Sequence, residues 1–168
     1  MEANNPQFTD PAVLKQHFVH HLNRIYHGKT YLQKHLPLLI TQSSLKKLQH
    51  AIQEVLDDVN KQISRIEAIY QLINAEPMAE NCVPIIAVFK DAFDPQDYET
   101  NNTLLNDVDI ILYLQLLEHI NITSYRMLKI LASALNYQQA EQLLTESFDE
   151  SNDNDKLFVL IADEYVKK

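Results

Sequence analysis

Polar side chains capable of chemistry interrupt apolar stripes at helical spacing along this chain. Lys29 lies between Ile25 and Leu32, and Asn60 lies between Leu56 and Ile63 with Asp57 one turn earlier. Glu118 and Asn121 separate Leu114 from Tyr125, and Ser151 and Asp155 separate Phe148 from Phe158. Carboxylates facing one another inside a bundle can ligate a hard cation, whereas a lysine ammonium cannot ligate and can only balance charge. Asp57, Glu118 and Asp155 could together hold one hard ion, but Lys29 beside them opposes it. The favoured reading pairs Lys29 with Asp57, Glu118 or both. The alternative has Lys29 reaching out to water along the stripe's edge.

His17, His20 and His21 share a helix face at i, i+3 and i+4, the spacing a transition metal needs. They lie off the Phe18–Leu22 stripe without a carboxylate partner, so they read as solvated surface histidines. His119 reads as a packing residue, or as one that supports a ligand, rather than as a ligand itself. Glu67, with Asp57 and Glu118, offers acid–base groups, but no pattern supplies a nucleophile or an oxyanion hole. Cys82 precedes a short apolar helix whose N-terminal dipole could lower its pKa; a buried structural thiol is the favoured reading.

Long helices must position these residues. Thr9 and Asp10 before Pro11 form an N-terminal signal. Helix A then runs to about Leu36, with Pro37 bending or ending it. Ser43 and Ser44 are placed to cap helix B, which runs to about Asn74. A loop at 75–82 leads to a short apolar helix from Pro84 to Phe93, and a polar connection follows to Asn102. Helix C spans about Leu104–Leu135, ended by Asn136 in the left-handed conformation asparagine tolerates. Helix D runs from Gln138 to the end, with poor helix formers at 151–155 that could break it. Narrow stripes at three–four spacing predict an antiparallel bundle. The long link between B and C permits a crossover.

Bulk properties agree. The 168 residues are 46% hydrophobic and 22% charged, with a single glycine, which disfavours all-β folds and phosphate-cradling loops. The expected organisation is a flexible tail over 1–9 and one domain over 10–168. The net charge of −9 repels phosphate backbones, so nucleic acid is not an expected partner. No apolar run has the roughly 20 residues of a membrane span. The lone Cys82 and the polar N-terminus fit a cytoplasmic protein.

Over roughly residues 12–165 the chain resembles the YciE/YciF-type ferritin-like proteins. The resemblance is carried by Tyr26-x-x-Lys29, by Gln62-Ile63-x-Arg65-Ile66, and by Glu118-His119 followed by Ser124-Tyr125 and Leu128. Leu135-Asn136-Tyr137 with Ala140 and Leu143-Leu144, and Asp155, continue it. It implies a ferritin-like antiparallel four-helix bundle, a dimeric state and a link with stress response. That family's pattern places a two-metal site of glutamates and one Glu-x-x-His pair at Lys29, Asp57, Asn60, Glu118, Asn121, Ser151 and Asp155. Only Glu118 and Asp155 keep the expected type, so the resemblance implies a degenerate site and no cofactor. The leading expectation is a non-catalytic protein acting by association, as a homodimer or with another protein. The alternatives are a metal-binding member oxidising or storing iron, or another divalent metal, at Asp57, Glu118 and Asp155, and a helical adaptor with an exposed apolar strip.

Overall fold

The computed structural model describes residues 10–80, 82–93 and 103–167, so the expected tail at 1–9 and the polar connection at 94–102 lie outside the described residues. Among the described residues there are five helices: α1 Pro11–Gln42, α2 Lys46–Leu72, α3 Val83–Phe93, α4 Thr103–Ala134 and α5 Gln138–Val166.

Helix α1 starts where the sequence places it. The Asp10 carboxylate accepts the Ala12 amide at 2.9 Å, with Pro11 in the first turn. It does not stop or break at Pro37 but continues to Gln42. Pro37 is exposed, and so is Gln33 one turn back, whose carbonyl loses its helical partner. Water can take that carbonyl, while buried Leu36 and Leu39 clamp the backbone on the core side.

Ser43 and Ser44 do not cap α2, which begins at Lys46 after Leu45 without a side-chain cap. Ser43 closes α1 instead, its amide reaching the Leu39 carbonyl at 2.9 Å. Ser44 donates its amide, at 3.0 Å, and its hydroxyl to the buried Asp107 carboxylate. Helices α2 and α4 both end in left-handed asparagines, Asn74 (φ 50°) and Asn136 (φ 58°). The next amides, of Ala75 and Tyr137, return to the carbonyls of Tyr70 (3.0 Å) and Ala132 (2.9 Å), the usual closure of a helix C-terminus.

These ends set the topology. Ser44 on Asp107 and the Lys47–Glu164 ion pair gather the α1–α2 turn, the start of α4 and the end of α5. Phe18 edge-on to Tyr137 at 5.7 Å and Lys15 on the Ile73 carbonyl at 3.2 Å gather the opposite ends. Helix α1 therefore neighbours α2 and α4, α5 neighbours the same two, and every neighbouring pair is antiparallel. α2 and α4 are diagonal and parallel, so the chain between them returns the length of the bundle. α3 lies within that crossover and packs on α4 and α1.

The single glycine of the chain marks this contact. A Cβ on Gly28 would stand 2.5 Å from Ile85 Cδ1 and 3.1 Å from Cys82 Sγ, so its absence lets α3 settle on α1. Inside, Phe18, Leu22, Leu36, Leu48, Ile52 and Phe158 are fully buried. Each such side chain contributes roughly 1.5–3 kcal/mol, which offsets weak local propensities. The weak segment 151–155 shows this: α5 is unbroken there because Ser151 and Asn154 turn into the bundle and Phe158 anchors the next turn.

Candidate functional site

The polar interruptions on three helices meet at one level. Lys29 from α1, Glu118 and Asn121 from α4, and Ser151 from α5 are at most 3% exposed. The Lys29 ammonium makes no hydrogen bond to any described residue, and lies 5.5 Å from the centroid of the buried Tyr125 ring. Glu118 is its foremost electrostatic partner, followed by Glu150 and Asp58. Burial still dominates and holds the Lys29 amine at about 8, against 10.5 in water. Burial also pushes the Glu118 carboxyl above the ordinary range, opposed by the Lys29 charge and by the Asn121, Ser151 and Asn154 side chains. Asn121 donates to Glu118 Oε2 at 3.1 Å from the next turn of α4.

Helix α2 is rotated from the expected register. Asp57 and Asn60 face outward and are exposed; Asp57 accepts from Gln53 at 3.0 Å, and Asn60 from Gln33 at 2.7 Å. Asp57 is therefore no partner of Lys29. The stripe that enters the bundle passes through Val55, Val59, Gln62 and Ile66. Its polar member is Gln62, 1% exposed, and half-buried Asp58 borders it. Gln62 accepts from the Tyr125 hydroxyl at 3.1 Å and donates to Glu150 Oε2 at 3.1 Å. Arg65 grips Glu150 with two hydrogen bonds, 2.7 and 2.8 Å, and reaches Glu146 at 3.1 Å. Such forked, charge-assisted pairs are strong and directional. The chain Tyr125–Gln62–Glu150–Arg65 thus runs from the bundle centre to its edge. Gln62 was legible as the residue three after Val59 and four before Ile66.

On α5 the inward residue after Ser151 is Asn154, which donates to Asp58 Oδ2 at 3.3 Å. Asp155 turns instead to His119, 3.4 Å away, at the α4–α5 boundary. Asp57, Glu118 and Asp155 are consequently not brought together. Asp58 also carries the Lys61 ammonium at 2.8 Å.

The α1 histidines do not converge on a ligand site either, although the His20 and His21 rings meet edge-on at 5.1 Å. His20 pairs with Glu80 at 2.8 Å, while His17 and His21 line a groove between α1 and α4. Among the described residues no group of three His, Cys, Asp or Glu side chains is placed to hold a metal ion. Cys82 is buried, and burial pushes its thiol up despite the Ile85 amide and the charges of Arg24 and Lys29. It has the surroundings of a packing thiol rather than a reactive one. No described helix is long and apolar enough to cross a membrane.

Known proteins share this architecture and sequence. The chain is 28% identical over 152 residues to Protein YciF of Escherichia coli (strain K12), covering 90% of this chain and 91% of that one. The crystal structure of the E. coli stress protein YciF superposes with a TM-score of 0.86, covering 92% of this chain and 98% of its own. YcfI from Rhodopseudomonas palustris gives 0.82 at 25% identity, over 86% and 92% of the two chains. A Xanthomonas campestris pv. campestris protein gives 0.71 at 13% identity over 91% and 93%, a likeness of fold alone. The sequence profile described as Domain of unknown function (DUF892) matches residues 13–168. The chain belongs to this DUF892 family, as an all-helical bundle similar to YciF.

Proposed function

We propose that this protein is a non-catalytic, stress-associated cytoplasmic bundle that acts by protein association, and that a Lys29–Glu118 cluster stands where ferritin-like relatives assemble two metals. The observation that carries this reading is the fully buried Lys29 ammonium, which has Glu118 as its foremost electrostatic partner without a hydrogen bond or a close ion pair between them. The donor set does not fit a two-metal centre. Glu118 is its one fully buried carboxylate; Glu150 is held by Arg65, and Asp58 by Lys61 and Asn154. The remaining inward groups are a cation and neutral amides and hydroxyls, and hard metals need several carboxylates free to converge.

Association has its own support. Leu112, Leu116 and Ile130 of α4 are exposed and form a second apolar stripe pointing away from the core, apart from the α1–α4 groove. Uncovered stripes of this kind mark interaction surfaces. The proposed occupant is a second copy of the chain. The net charge of −9 disfavours nucleic acid as an alternative partner.

Two measurements test the reading. Protein incubated anaerobically with ferrous iron and desalted is expected to retain only substoichiometric metal; stoichiometric iron would overturn the loss of the site. Light scattering after size exclusion is expected to give a dimer that Ile130→Glu converts to monomer. A monomeric parent protein would remove the proposed partner.

A further inference from the structure

The groove lined by His17 and His21 is the most chemically distinctive surface outside the bundle centre. It lies between α1, α4 and the first turn of α3, with a volume of about 450 Å³, within the roughly 300–1,000 Å³ usual for small-molecule sites. Its two sides differ in character. Along α4 the wall is mainly apolar, built from Ile120, Met127 and Leu131 with Thr123 and Ser124 between them, and Met127 stays half exposed. Along α1 the rim is basic, with His17, His21 and Arg24 on successive turns.

No carboxylate among the described residues pairs with Arg24. Glu80, whose charge reaches His21, is paired with His20. Burial and the neighbouring charges of His20, Arg24 and His17 hold His21 below the usual histidine range, with Glu80 alone acting against them. The first turn of α3 adds its own partial positive charge beside Cys82 and Pro84. A protein with a net charge of −9 thus presents a guanidinium, unpaired among the described residues, and a helix N-terminus at one largely apolar groove.

We propose that this groove binds an amphipathic anion, a free long-chain carboxylate with its head at Arg24 and its chain along Ile120, Met127 and Leu131. The site is independent of the Lys29–Glu118 cluster, so it stands or falls apart from the metal question.

Calorimetric titration of the full-length protein with monomeric dodecanoate tests it, with dodecanol and dodecyltrimethylammonium as chain-matched controls. The expected result is saturable binding of dodecanoate, at least tenfold weaker for both controls. Arg24→Glu should weaken it at least tenfold, and Arg24→Lys should largely restore it. Arg24 is only partly buried, and an unchanged thermal midpoint would show that the variants are folded. Equal binding of dodecanol, indifference to Arg24→Glu, or absence of saturable binding would each overturn the proposal. Co-sedimentation with phosphatidylglycerol vesicles without binding of free dodecanoate would also overturn it, by assigning the surface to a membrane headgroup.

Discussion

The Lys29 ammonium sits 5.5 Å from the centre of the Tyr125 ring, and both side chains are completely buried. The ring face and the Glu118 charge are what compensate its lost hydration, because no described residue accepts a hydrogen bond from it. A ring face contributes up to about 2 kcal/mol to a desolvated cation, less than the several kcal/mol that burying a charge costs. Lys29 is therefore a strained element of the core, and its strain is measurable.

Stability is predicted to rise with pH just above 8. The unfolded chain keeps the Lys29 proton up to 10.5, whereas the folded one loses it at about 8. Between these values the unfolded state binds more protons, so the slope is positive and approaches about 1.4 kcal/mol per pH unit. The clean window is pH 8 to 9. Above it the buried thiol of Cys82, then the phenols of Tyr70 and Tyr125, all pushed up by burial, contribute the opposite slope. Urea unfolding at half-unit intervals would show the rise in the parent and its absence in Lys29→Met. A flat parent profile would refute the buried, depressed amine.

Removing the Glu118 charge alone should cost more than removing both buried charges. Glu118→Gln leaves the Lys29 charge without its foremost partner, with an expected loss of about 3 kcal/mol. Replacing both, as Lys29→Met with Glu118→Gln, removes the uncompensated charge and should return stability to within about 1 kcal/mol of the parent, or above it. Additive losses in the double variant would contradict the coupling.

The bundle and its polar layer were largely legible in the sequence because burial selects residues by period. Lys29, Glu118, Asn121 and Ser151 all interrupt stripes whose neighbours are buried, so their inward position followed from spacing. Helix α2 was misread because two apolar lines run along it. Leu56 belongs to a half-buried shoulder, and following it selects Asp57 and Asn60; following Val55 and Val59 selects Gln62. The pairing of Arg65 with Glu150 joins residues far apart in sequence, and no local periodicity encodes such a contact. Pro37 and segment 151–155 were read from propensity, which tertiary packing overrode.

Arg65→Met tests the edge of the network. Both partners of the fork are about four-fifths buried, with side-chain exposures of 19% and 21%, so the ion pair is not fully screened by water. Its removal leaves Glu150 held only by Gln62 and is expected to cost about 2 kcal/mol. Glu150→Gln keeps one hydrogen-bonding oxygen and should cost less. Thermal unfolding of the two variants orders them; a larger loss from Glu150→Gln would show that the Glu150 charge serves a group besides Arg65, the buried Lys29 ammonium.

Gly28→Ala probes the seat of α3. Alanine should gain about 1 kcal/mol from helix propensity in an open helix. Here its methyl would meet Ile85 Cδ1 at 2.5 Å and Cys82 at 3.1 Å, both buried. Overpacking of this kind costs about 1–3 kcal/mol, so a net destabilisation of about 1 kcal/mol is expected. Ile85→Val withdraws the nearest methyl and by itself should cost about 1 kcal/mol. In the Gly28→Ala background the same change relieves the clash, so the double variant should be no less stable than Gly28→Ala alone. The two substitutions are then coupled by about 1 kcal/mol, as residues in direct contact should be. Simple additivity in a double-mutant cycle would mean that α3 does not rest on Gly28.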